Sequence, residues 1–147
     1  MEEMKFYTVY LDGIDKSGKD TIAKYVWMLD KRLNVFVRGW PSLVAYAKKF
    51  CRDVNYALPY KDALYVHCIV SKEDWQIRCK MTNEQKIDFV DDSKLFDEAF
   101  NELERKNYNV MKADTSAFTP YQNALLIVNK MQALNAHSKE EKNVSSN

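Results

Sequence analysis

The chain has 147 residues, 46% of them hydrophobic and 29% charged, with a formal net charge of +1. That is enough apolar content for one compact core, and too little net charge for the broad cationic field of a general nucleic-acid binder. No apolar run reaches the ~20 residues that a membrane span needs, and the acid-led opening MEEMKFYTVY lacks the charge-then-apolar layout of a secretory leader.

Residues 6–11, FYTVYL, are aromatic and β-branched and predict a buried strand of a parallel sheet. A loop holding Gly13 and Gly18, two of only three glycines in the chain, follows. Ile22, Val26, Leu29 and Leu33 then recur at helical spacing. Residues 34–38, NVFVR, predict a second, short strand broken by Gly39 and Pro41. Ser42 is the expected cap of a helix with Leu43, Ala47, Phe50 and Val54 along one side.

Residues 63–70, ALYVHCIV, are nearly all apolar and predict a third strand, followed by a helix capped by Ser71. Residues 81–92 are polar and irregular, and their acids Asp88, Asp91 and Asp92 read as a solvated turn before a helix. That helix, residues 93–106, turns Leu95, Phe96, Ala99, Phe100 and Leu103 inward. Residues 108–113 predict a fourth strand, and Thr119 with Pro120 opens a last helix ending near Leu134. Residues 136–147 hold too little apolar content to pack and are expected to form a disordered tail.

Strands alternating with helices imply βαβ units and a parallel sheet. The expectation is one α/β domain over residues 1–135, with about four strands flanked by helices in three layers. With the loop Gly13 to Lys19, that is a P-loop NTPase-like fold. Cys51, Cys68 and Cys79 are odd in number and lack metal-ligand spacing. They read as reduced packing residues of a cytoplasmic protein. His67, inside an apolar strand, reads as a core histidine, and Trp40, Tyr46 and Tyr60 read as packing residues rather than a wall for a base.

The loop carries the chemistry. Gly13-Ile14-Asp15-Lys16-Ser17-Gly18-Lys19 fits G-x-x-x-x-G-K, between a predicted strand and a predicted helix. Such a loop turns successive N–H groups toward phosphate oxygens, and its lysine neutralises charge on the transferred phosphoryl group. The position that usually holds a magnesium-binding hydroxyl is Asp20, an acid. A carboxylate is also a competent oxygen ligand for Mg²⁺. Thr21, one residue and about 100° further round the helix, is the alternative donor.

The stretch YLDGIDKSGKDTIAKYV resembles the opening of thymidylate kinases, F-E-G-[IVL]-D-x-x-G-K-[ST]-T. Its GKDT ending resembles phage deoxynucleoside monophosphate kinases. DALYVHCIVSKEDWQIRCK, EQKIDFVDDSKLFDEAFNELE and NYNVMKADTSAFTPYQNALLIVNKM resemble later family segments in the right order. The resemblance implies an ATP-dependent kinase using Mg²⁺. Residues 13 and 15–21 (Gly13, Asp15, Lys16, Ser17, Gly18, Lys19, Asp20, Thr21) would then bind the ATP phosphates, and Asp20 or Thr21 the metal. By the same resemblance Lys19, Lys16 and Arg78 would be catalytic, and Asp15 would approach the acceptor sugar. Asp114, Thr115 and Ser116 would border the adenine.

The family's D-R-[YF] acceptor element is missing, and the chain is shorter than family members in the middle. VFVRGWPSLVAYAKKF aligns two ways. Arg38 and Pro41 match an R-x-P turn, or WPSLVAY matches the Y-x-x-S-x-x-A-Y run. Arg38 ends a strand at the expected carboxyl edge of the sheet, where open α/β folds bind ligands, and is the acceptor-binding candidate.

Three readings stay open on sequence. The first is transfer of the ATP γ-phosphate to a deoxynucleoside monophosphate such as dTMP or dUMP, with the missing segment supplied by a second subunit of a homo-oligomer. The second is a kinase acting on a hydroxymethylated pyrimidine in phage DNA, in the host cytoplasm; near-neutral charge disfavours DNA as partner. The third is a non-catalytic, nucleotide-binding regulatory module. A membrane partner is not expected.

Overall fold

The computed structural model describes residues 4–52, 57–82 and 88–145. Its centre is a four-stranded sheet built from β1 (Thr8–Asp12), β2 (Asn34–Val37), β3 (Ala63–Ile69) and β4 (Asn109–Asp114). The spatial order is β2-β1-β3-β4 and every pairing is parallel. Thr8 stands beside Asn34 on one side and Ala63 on the other, and Asp12 stands beside His67. β1 and β3, paired on both edges, are the strands with almost wholly buried residues. The edge strand β2 is mostly exposed.

Alternation along the strands sends side chains to opposite faces, and each face buries a separate core. Val9, Leu11, Leu64, Val66 and Cys68 pack against α1 (Lys19–Leu29) and α5 (Pro120–Ser145), through Ile22, Val26, Ala124, Ile127 and Met131. On the other face Tyr65 packs with residues of α2 (Trp40–Lys49), α3 (Lys72–Thr82) and α4 (Phe89–Arg105). Among them are Val44, Trp75, Phe96, Phe100 and Leu103. Each such buried Leu or Phe stabilises by roughly 1.5–3 kcal/mol. The result is the three-layer α/β arrangement, a four-stranded parallel sheet flanked by helices, expected from the alternation of elements.

Helix ends differ from the sequence expectation for identifiable reasons. α2 begins at Trp40, not after Ser42, because its capping oxygen comes from Asp12 of β1 rather than from its own start. α4 begins at Phe89, because the Asp88 carboxylate accepts hydrogen bonds from the N–H groups of Val90 and Asp91. Asp92 is correspondingly not solvated: it is buried and paired with Lys49 of α2 at 2.9 Å. The irregular stretch expected before α4 includes residues 83–87, which lie outside the described residues. α5 continues past Leu134 to Ser145, through a stretch without Gly or Pro where His137 and Glu141 pair one turn apart at 2.9 Å. No helix among the described residues is long and apolar enough to cross a membrane.

Candidate functional site

β1 ends at Asp12, and the chain between it and α1 curls through two left-handed residues, Lys16 (φ 67°) and Gly18 (φ 94°). Such turns aim backbone N–H groups at a common centre, a ready anion cradle. Gly18 caps α1 without a side chain, so the helix presents its positive end to the loop. Gly13 is needed for close approach: a Cβ there would lie 2.5 Å from the Cys68 carbonyl oxygen and 2.7 Å from Ser17 Oγ. Ser17 is fully buried, and its hydroxyl finds no hydrogen-bond partner among the described residues.

Lys19 is only 3% exposed, and its Nζ donates to the carbonyl oxygens of Gly13 (3.3 Å) and Ile14 (3.4 Å). The loop thus wraps its own lysine. Burial lowers the Lys19 pKa, the carboxylates of Asp15 and Asp20 push it back up, and Arg38 adds to the lowering. Exchanging two carbonyl dipoles for a phosphate's full charges would favour the ammonium form.

On one side of the loop stands Arg78 of α3, half-buried. Its Nη1 donates to the Lys16 carbonyl (2.8 Å) and to Thr115 Oγ1 (3.2 Å), and its Nη2 donates to the Thr115 carbonyl (3.3 Å). One guanidinium therefore joins the loop to the turn after β4. That turn is internally braced. Asp114 Oδ1 accepts from the N–H groups of Ser116 and Ala117, and Ser116 Oγ accepts from the Ser71 N–H. Asp114, Thr115 and Ser116 are thus beside the loop, and a Cβ added at Gly18 would lie 3.3 Å from Thr115 Cγ2.

On the other side stands Arg38, in a left-handed conformation at φ 83°, with its Nη2 4.0 Å from Asp15 Oδ1. Both side chains are well exposed, so the pair is a loose contact that solvent screens. The half-buried Tyr46 of α2 has a hydroxyl pKa raised by burial and then by Asp15, which places it near the same pair. Trp40 is buried in the core and Tyr60 is exposed, so the three aromatics do not form one wall.

Asp20 and Thr21 both lie exposed in the first turn of α1, directly after the loop. Their hard oxygen donors suit Mg²⁺, which keeps several waters and takes few protein ligands beside phosphates. Sequence reasoning missed Asp12 and read Ser42 only as a helix cap. Asp12, wholly buried, accepts from the N–H groups of Gly39 (2.7 Å) and Ser42 (3.1 Å) and from the Ser42 hydroxyl. The available signal was a charge ending an otherwise apolar strand.

Two cavities bear on the placement of the site. One of about 250 Å³ lies beside the loop, with Ile14, His67, Phe89 and Asp97 in its wall. A larger one, about 1100 Å³, opens between the chain start and the far end of α5, at Lys5, Arg32 and Lys139. The larger cavity is away from every feature described above. The loop, at the carboxyl ends of parallel strands, is where open α/β sheets hold ligands.

No protein-family model matches the chain, and no curated protein matches it in sequence. Among solved structures, the fold is similar to that of the YorR protein from Bacillus subtilis, solved in complex with phosphorylated GDP. The TM-score is 0.61 at 15% identity, over 85% of this chain and 95% of that one. At that identity the likeness is one of fold, and it extends over nearly all of both chains.

Proposed function

We propose that the protein is a P-loop phosphotransferase that binds ATP at residues 13–21 and passes its γ-phosphoryl group to a deoxynucleoside monophosphate. The observation that carries this reading is the wrapped lysine: Lys19 Nζ sits on the Gly13 and Ile14 carbonyls inside a loop curled by Lys16 and Gly18. A loop of this form at the end of a central parallel strand suits a polyphosphate. The fold likeness to a protein solved with a phosphorylated guanine nucleotide agrees with it.

In this reading the loop N–H groups and the start of α1 bind the β- and γ-phosphates. Lys19 and Lys16 stabilise charge on the transferring group, with no covalent enzyme intermediate. Arg78 holds the loop against the turn at Thr115, which would flank the adenine. Mg²⁺, held by Asp20 or Thr21, would supply charge neutralisation between the phosphates. Arg38 and Asp15 face the acceptor, the arginine toward its phosphate and the carboxylate toward its sugar. The attacking atom is an acceptor phosphate oxygen, already ionised at neutral pH. It forms the new P–O bond as the β,γ-bridging bond breaks and ADP departs, so no protein base is required.

The test is incubation with ATP, Mg²⁺ and a panel of deoxynucleoside monophosphates, nucleosides and hydroxymethylated DNA, with ADP and phosphorylated product measured. Product from dTMP or dUMP supports the reading. Transfer only to DNA replaces the acceptor, and ATP binding without transfer to any of these reduces the protein to a nucleotide-binding module.

A further inference from the structure

We propose that Asp12 is a positioning residue for the acceptor side, its buried carboxylate fixing Arg38 at a set distance from the phosphate loop. The inference rests on the kinase reading above and adds to it a residue outside the G-x-x-x-x-G-K stretch.

The geometry is specific. Asp12 is 0% exposed and is the last residue of β1, immediately before Gly13. Its Oδ1 accepts three hydrogen bonds, from the Gly39 N–H, the Ser42 N–H and the Ser42 hydroxyl. Those two N–H groups are among the unpaired donors at the start of α2. A helix start is usually capped by the side chain at that position. Here that position is Gly39, and the cap comes from another strand. The residue before Asp12 takes part as well: the Leu11 carbonyl accepts from the Arg38 N–H at 2.8 Å. Two consecutive residues of β1 therefore grip Arg38, Gly39 and Ser42.

That grip explains a strained backbone. Arg38 is left-handed, which costs a non-glycine residue roughly 1–2 kcal/mol. Next to it, Gly39 leaves no room for a Cβ, which would fall 2.7 Å from Tyr10 Cδ1. The bonds from Leu11 and Asp12 offset that strain and turn the chain so that Arg38 Nη2 comes within 4.0 Å of Asp15 Oδ1. A neutral cap would serve the helix alone, yet a carboxylate is used whose second oxygen is buried without a hydrogen-bond partner among the described residues. Burial raises the Asp12 pKa, and the hydrogen bonds from Ser42 and Gly39 lower it. Asp12 thus ties the residue before the phosphate loop to the start of α2, which follows Arg38 by two residues.

The experiment compares Asp12→Asn and Ser42→Ala with wild type in two measurements. One is the Kd for a non-hydrolysable ATP analogue with Mg²⁺; the other is KM and kcat with dTMP as acceptor. A positioning role leaves the analogue Kd within about threefold and raises the dTMP KM about tenfold in Asp12→Asn, with a smaller rise in Ser42→Ala. Should Asp12→Asn fail to fold, Ser42→Ala alone decides. Kd and KM moving together, or neither moving, overturns the inference while leaving the kinase reading intact. Wild-type protein that transfers nothing to dTMP overturns the reading on which the inference stands.

Discussion

Arg78 Nη1 lies 2.8 Å from the carbonyl oxygen of Lys16, a residue held in the left-handed region. The same guanidinium also reaches both the hydroxyl and the carbonyl of Thr115. The side chain expected to be catalytic thus joins the loop before α1 to the turn after β4.

Replacing Arg78 by Lys or Ala should therefore loosen both loops at once. The hydrogen bonds to Lys16 and Thr115 are lost, each contributing about 0.5–1.5 kcal/mol, and a lysine cannot reproduce the planar fork. The expected result is a roughly tenfold weaker Kd for an ATP analogue by calorimetry in both variants, lysine included. An Arg78→Lys variant binding as tightly as wild type would contradict this joining role.

The two loop glycines should fail differently. Alanine at position 13 meets the backbone oxygen of Cys68 on central strand β3, which has nowhere to move. A loss of about 3 kcal/mol or more is expected, on the order of 10 °C in Tm. Alanine at position 18 meets only the side chains of Thr115 and Arg78, at 3.3 and 3.4 Å, and pays chiefly for φ 94°. It should cost roughly 1–2 kcal/mol of stability and a larger share of nucleotide affinity. Thermal melts of the two variants rank them.

His67 predicts a pH dependence. It is buried, stacked on Phe100 at 4.3 Å, and burial, with Lys112 adding, lowers its pKa to about 4. The Asp97 carboxylate 3.9 Å away is 60% exposed and hydrated, so it returns little. The unfolded chain, with an ordinary histidine near 6.5, takes up its proton first as pH falls. Stability from this group is thus full above about pH 6.5 and is lost progressively toward pH 4, by roughly 3 kcal/mol at most. Urea midpoints at pH 7 and pH 4.5 should differ more in wild type than in His67→Gln, and equal differences would refute the assignment.

Most of the layer structure was legible because it is local. Val9 and Leu11, or Ile22 and Val26, declare a buried face through spacing alone, and the loop declares itself through Gly13, Gly18 and Lys19. What was not legible is what depends on distant partners. Nothing near Ser42 shows that its hydroxyl donates to Asp12, 30 residues earlier. Likewise nothing near Asp92 shows that Lys49 will cover it, so an acid in an acidic run reads as solvated. The left-handed turn at Arg38 is equally hidden, because it is imposed by hydrogen bonds to β1 rather than by a glycine.

The most direct measurement is binding of ATP with Mg²⁺ to wild type and to Lys19→Ala, with melting curves as the control for folding. Wild type should bind saturably and Lys19→Ala about a hundredfold more weakly, with a cooperative melt retained. No binding by wild type, or equal binding by both proteins, would contradict it.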